Sequence, residues 1–270
     1  MFVIFLLYAV SLLIPLVWGI LNSMLTRAEF NMASASIKLP SSINFNNYAL
    51  AWKELSANGI SMITMLINSI WYAGGSTLLC LFASAMTAYV TEKYEFIGRR
   101  FFKGFAWVTM MVPIMGNMAS SLKFYRSLGA ADNYLYIIAA ISSLSFLYIF
   151  LCSTFRGLSW QYAEAAFVDG AGHFRVFFQI MLPQVIAPMT ALFVSEFITR
   201  WNDSMTPLIY FPGLPTLASG LYIYQTVASR AVNYPMLFAA LIMCMIPVLI
   251  LYFIFQEKLM DIQLGGGVKG

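Results

Sequence analysis

The sequence predicts an all-α fold built to sit in a membrane, and three observations carry that expectation. Hydrophobic residues make up 61% of the 270 and charged residues only 10%, whereas a soluble globular domain carries about 25% charged residues. Six stretches hold no Asp, Glu, Lys or Arg: Met1–Thr26, Leu55–Thr91, Gly104–Leu122, Asn133–Phe155, Val176–Ser195 and Ala231–Gln256. A bilayer core of about 30 Å takes about 20 residues of helix, so each is long enough, or nearly so, to cross. Finally, the runs are continuously apolar rather than alternating, which disfavours the strands of a barrel.

Taken in order, the elements read as follows. The first run lacks a basic leader, and its apolar part is longer than the usual 7–15 residues, so an uncleaved first span is expected over 1–25. A polar connection follows from Arg27 to Gly59, with LPSSINFNNY (Leu39–Tyr48) extended and turn-rich. Further spans are expected over 61–90, 104–124, 133–154, 184–205 and 234–256. These six make a polytopic protein with one transmembrane domain over 1–270. A seventh charge-free window, Ser204–Ser229, contains Pro207, Pro212, Gly213, Pro215 and Gly220. Prolines there orphan carbonyls that lipid cannot satisfy. Residues 207–233 therefore read as an external loop with short helical pieces. Lys93, Arg99, Arg100 and Lys103 form the densest basic cluster, which favours the cytoplasmic side. With six spans, both termini and residues 156–183 are then cytoplasmic, while Arg27, Lys38 and Lys53 fall outside.

Several chemistries find no support. The net charge of +4 is spread thinly, so nucleic acid is not an expected partner. Cys80, Cys152 and Cys244 lie inside apolar runs without metal or disulfide spacing, and read as small buried hydrophobes. His173 is the lone histidine, so neither a metal site nor a catalytic dyad is indicated; an exposed loop histidine without a role is expected. No glycine is directly followed by lysine, so the chain cannot form a GxxxxGK[ST] phosphate cradle, and no cofactor is called for.

One polar segment interrupts the apolar chain, EAAFVDGAGHFRVFFQIMLP (Glu164–Pro183). WQYAEAAFV (Trp160–Val168) reads as a helix broken at Asp169-Gly170, with Asp169 as an N-cap for the next. HFRVFFQIML (His173–Leu182) resumes it, with Phe174, Phe177, Phe178 and Met181 on one face, and Pro183 either stops it or starts the next helix. Ala165 and Ala166 let another backbone approach; Glu164 and Asp169 offer charges to a partner. Read on physics alone, two interpretations stay open: a docking element, or an amphipathic helix lying on lipid headgroups.

Here the residues resemble a family. EAA, three residues, G, nine residues, I, one residue, LP is the coupling-loop pattern of the permease subunits of ABC importers. It falls on Glu164-Ala165-Ala166, Gly170, Ile180 and Leu182-Pro183. INFNNYALAW (Ile43–Trp52), Asn68-Ser69, AYVTEKYEFIGRR (Ala88–Arg100), MMVPIMG (Met110–Gly116), RWND (Arg200–Asp203) and GGGVKG (Gly265–Gly270) are similar to further family segments. The chain resembles the shorter permease of a maltose-type carbohydrate importer in a bacterial cytoplasmic membrane. The resemblance implies a pore subunit that is not itself an enzyme. Its implied partners are a second permease, two cytoplasmic ATPases docked on the EAA loops, and an external binding protein that delivers a sugar or oligosaccharide. A self-contained ion-coupled carrier or intramembrane enzyme, or an ABC permease for another solute, are the alternatives. No internal repeat of the kind carriers show is visible.

The fifth expected span is also charged. Glu196, Arg200 and Asp203 lie at offsets of 4 and 7 and are expected on one helix face, with Asn202 beside them. A charge near the middle of a bilayer costs about 2.5–3.5 kcal/mol, so these groups should pair or face water. A translocation pathway, the outer interface and a contact between subunits all remain open.

Overall fold

The computed structural model describes residues 1–32, 39–111, 116–227 and 232–265. In chain order the first helices are α1 (Phe2–Ser23), α2 (Arg27–Met32), α3 (Asn46–Glu54), α4 (Met62–Ser69) and α5 (Ser76–Lys93). There follow α6 (Arg99–Met111), α7 (Met118–Ser127), α8 (Tyr136–Ala139), α9 (Phe146–Gly157), α10 (Gln161–Val168), α11 (His173–Val176) and α12 (Leu182–Gln184). The last are α13 (Ile186–Trp201), α14 (Met205–Tyr210), α15 (Leu217–Val227) and α16 (Tyr234–Gly265). Among the described residues, strict all-α character fails at one place. Ser56–Ala57 (β1) and Ile60–Ser61 (β2) pair antiparallel around Asn58 and Gly59, at φ of 53° and 78°. Positive φ at both central residues is the type I′ hairpin turn that an Asn-Gly pair favours.

Among the described residues, three helices are long and apolar enough to cross a membrane: Phe2–Ser23, Met62–Lys93 and Tyr234–Glu257. A bent pair, His173–Gln184 and Ile186–Trp201, meets at 75° and makes a fourth candidate. The spans expected over 104–124 and 133–154 are not single helices among the described residues. The first is divided between α6 and α7, with 112–115 outside the described residues. The second is divided between α8 and α9 at residues 140–145. Ser142, Ser143 and Ser145 crowd that break, and serine hydroxyls compete with the backbone for its partners. Side chains of α5 reach carbonyls of the break: Ser84 Oγ lies 3.5 Å from Ser142 O, and Cys80 Sγ 4.0 Å from Ala140 O. Most of MMVPIMG and GGGVKG, together with Lys38, lies outside the described residues.

The described residues form two compact units. One draws on Met1–Ser69, Asp203–Leu208 and Pro212–Ile250. Here Asn47 Nδ2 donates to Ser23 O (2.7 Å) and Leu25 O (2.8 Å), fixing the chain where α1 ends. Residues 39–45 are turn-rich as expected, but α3 already begins at Asn46. Thr26 and Glu29 close α2 as a capping box: Glu29 accepts the Thr26 N–H (2.9 Å), and Thr26 Oγ1 accepts the Glu29 N–H (3.3 Å). That Thr26 amide, above all, holds the Glu29 carboxyl down to about 2. Thr216 and Ser219 exchange the same bonds at the start of α15. Asn68 Nδ2 donates to Pro215 O (3.0 Å) and Ser69 Oγ accepts the Leu217 N–H (2.8 Å). These bonds satisfy backbone groups in the proline-rich stretch of the expected external loop.

The other unit draws on Ile70–Asn202, Ile209–Phe211 and Leu251–Gly270. Its core is α5 against α9, where Leu81, Ala85, Ala88 and Tyr89 meet Tyr148, Leu151, Cys152 and Phe155. Fully buried Ala85 and Ala88 allow the close approach that helix pairs in lipid depend on. Residues Ile70–Gly75 form a π-helical turn. A Cβ at Gly75 would sit 3.0 Å from Ile137 Cδ1, so glycine admits α8 there.

Candidate functional site

Glu164–Pro183 folds as two helices around a tight turn. Gly170 takes φ of +81°, a conformation that residues with a Cβ avoid. Its N–H donates to Phe167 O (3.0 Å) and the Ala171 N–H donates to Ala166 O (2.9 Å). Those two bonds define a Schellman motif with glycine at its left-handed position. The sequence-based expectation is corrected twice. Asp169 closes α10 rather than capping the next helix, where Gly172 takes the N-cap place. Ala166 packs into the core, so of the two alanines only Ala165 is exposed, beside exposed Glu164 and Asp169.

The expected stripe is also split. Phe177 (3% exposed) and Met181 (0%) are buried, while Phe174 (74%) and Phe178 (45%) face outward. Residues Phe177–Met181 are π-helical, and the wider turn of a π-helix changes which positions share a face. The buried side becomes Val176, Phe177, Met181 and Val185. Ile180 and Leu182 are half-buried and Pro183 is exposed. The chain leaves helical geometry at Val185 (φ −105°, ψ 5°), where α13 departs at the 75° bend. Pro183, without an N–H, leaves one rung of the hydrogen-bond ladder unmade just ahead of that corner.

Polar fastenings that the sequence reading missed tie this segment to α5. Tyr94 Oη lies 2.9 Å from His173 Nδ1, so His173 has a structural partner despite its exposure. Lys93 Nζ donates to Leu158 O (2.6 Å) just ahead of α10. Glu92, its side chain 2% exposed, pairs with Lys103 (2.7 Å), Arg156 (3.3 Å) and Arg99 (3.9 Å). Part of the basic cluster used to orient the chain is thus neutralised locally. The available signal was Glu92 itself, the acid that ends a charge-free window of 37 residues, Leu55–Thr91.

In the charged part of α13, Glu196 and Arg200 pair at 2.9 Å. Arg200 also points an N–H toward Cys80 Sγ at 3.7 Å, so that cysteine is more than an inert hydrophobe. Asp203 lies beyond the helix that carries them. The helix ends at Trp201, and the Asp203 carboxylate accepts the Met205 and Thr206 N–H groups (both 3.0 Å) at the start of α14. Asn202 Nδ2 donates back to Ile198 O (2.8 Å). The same unit holds an unforeseen aromatic cluster, in which Tyr136 lies 4.9 Å from Phe211, 5.1 Å from Tyr125 and 5.6 Å from Tyr210 between ring centres.

Residues 81–260 match the family described as binding-protein-dependent transport system inner membrane component. The chain belongs to that family. As such an inner-membrane component, it shares its architecture with a solved bacterial ABC transporter involved in the import of the acidic polysaccharide alginate. That likeness has a TM-score of 0.79 and 22% identity, over 94% of this chain and 93% of that one. Among relatives, the diacetylchitobiose uptake permease NgcG of Streptomyces coelicolor is 28% identical, over 94% of this chain and 83% of its own. The arabinooligosaccharide permease AraQ of Bacillus subtilis is 25% identical over 98% and 94%. The trehalose permease SugB of Mycobacterium tuberculosis is 26% identical over 86% and 84%.

Proposed function

We propose that this chain is one of two different permease subunits of an ATP-driven importer for a sugar or oligosaccharide. The whole of 1–270 acts as one transmembrane domain in a bacterial cytoplasmic membrane, crossing six times with both termini inside. Spans three and four are then made from α6 with α7 and from α8 with α9. An external binding protein delivers the saccharide. Two separate ATPase subunits supply the energy, one of them seated on Glu164–Pro183. Saccharides are the cargo named for NgcG, AraQ and SugB, which supports the substrate class.

One observation carries the coupling role: the EAA segment is a braced body with a chemically mixed outer face. Ala163, Ala166, Val176 and Phe177 anchor it in the core shared with α5 and α9. Glu164, Ala165, Asp169 and exposed Val168 look outward. Carboxylates there are repelled by the anionic headgroups of a cytoplasmic leaflet, which favours a protein partner over a resting helix on lipid. An ATPase that moves as it closes can push a braced helix pair as a unit. Glu196 and Arg200 of α13 are the pathway candidates, because a paired charge in a span marks a solute route or a contact; Asn202 and Asp203 follow at its end. The test is uptake and substrate-stimulated hydrolysis in the assembled importer carrying Glu164→Lys. Loss of both, with normal membrane yield, is expected; unchanged uptake returns the segment to an interfacial helix.

A further inference from the structure

A groove of about 370 Å³ runs between α6 and α9, and the coupling role makes no use of it. At one end stand Lys103 and Arg156; along its length lie Trp107, Phe146, Ile149, Phe150 and Ser153. Glu92 sits behind the basic end, and its carboxylate is divided among Arg99, Lys103 and Arg156. Three cations against one carboxylate leave two positive charges uncompensated within this cluster. The Arg156 side chain is 69% exposed. A guanidinium carries five N–H donors; Glu92 takes two of them (3.4 and 3.3 Å). The rest of the groove is mostly apolar, and Trp107 and Phe146 are exposed in a chain that lives in a membrane.

We propose that this groove binds an anionic phospholipid, its phosphate on Lys103 and Arg156 and an acyl chain along Trp107, Phe146 and Phe150. The two halves of the site demand the two halves of such a molecule. Excess positive charge selects an anion, and an arginine fork matches phosphate geometry. The apolar length gives no partner to a free phosphate but suits a hydrocarbon chain. At about 30 Å³ for each water-sized group, the groove holds on the order of a dozen non-hydrogen atoms. That is a phosphate with its glycerol and the first part of a chain. Basic pockets beside membrane helices attract anionic headgroups for the same reasons. Glu92 is the positioning residue: buried among the cations, it fixes Lys103 and Arg156 at one end of the groove without neutralising both.

The test uses the complete importer in nanodiscs of phosphatidylcholine doped with phosphatidylglycerol, with retained lipid read by native mass spectrometry. Wild type should retain phosphatidylglycerol over phosphatidylcholine by about fivefold or more relative to the disc composition, the scale of one uncompensated basic side chain near an anionic surface. Arg156→Gln should lower that preference severalfold. Ser153→Trp, which fills the groove without touching an ion pair, should abolish it. Inorganic phosphate at millimolar concentration should leave it unchanged. Equal retention of the two lipids by wild type overturns the proposal, including when another subunit covers the groove. So does a preference that survives Ser153→Trp, or one that inorganic phosphate removes.

Discussion

Gly170 holds φ at +81° and has nothing within 4 Å of where a Cβ would stand, so a side chain there meets backbone strain and no clash. Gly170→Ala should therefore cost about 1 kcal/mol and lower the melting temperature of the assembled importer slightly, with uptake retained. Gly170→Pro also removes the N–H that closes on Phe167 O and cannot reach positive φ. It should abolish uptake while leaving membrane insertion intact. A second residue-scale prediction concerns the Glu196–Arg200 pair. Removing Arg200 strands a carboxylate, and breaking a buried pair from one side costs about 3–5 kcal/mol; the partial exposure of Glu196, 31%, reduces that. Arg200→Ala should thus reduce membrane yield more than the double change Glu196→Gln, Arg200→Gln. Equal yields would show that the pair is not needed for folding. At this scale the motif was legible because its glycine and alanines are fixed in sequence spacing. Glu92 was not, since its three cations come from two other helices and only folding brings them together.

Among elements, the capping box of α2 gives a pH prediction with a definite sign. Glu29 is held down from 4.5 to about 2, first by the Thr26 amide. A depressed carboxylate lends its stability fully above its unfolded value and loses it as pH falls through the folded one. Protection of the α2 amides, corrected for intrinsic exchange, should therefore be constant above about pH 4.5 and decline toward pH 2, and Glu29→Gln should flatten that decline. The helices themselves were legible where the apolar run is long and unbroken, as in α1 and α16. They were less so where local hydrogen bonding competes. The serine cluster split the expected fourth span, the π-turn rotated Phe178 away from Phe177, and Asn58-Gly59 made a hairpin inside a stretch read as polar connection. Asp203 was misplaced because an offset of 7 assumes a helix that in fact ends at Trp201.

On the scale of the whole molecule, the composition pointed to lipid, and the family match over 81–260 agrees with it. In the proposed role the energy source lies on separate ATPase chains. Purified alone, it should hydrolyse no ATP; purified from its host, it should bring an ATPase and a different permease with it. What no sequence pattern could supply is the surface proposed to meet those partners, since the division of α10 into buried Ala166 and exposed Ala165 emerges only from packing. That surface is where the account is most directly tested. A photo-crosslinking residue in place of Ala165, in the assembled importer in a lipid bilayer, reports what covers the EAA face. The expected product is a covalent adduct with the ATPase subunit whose yield changes when ATP is bound. Adducts with lipid alone, whether or not ATP is present, would contradict the coupling role.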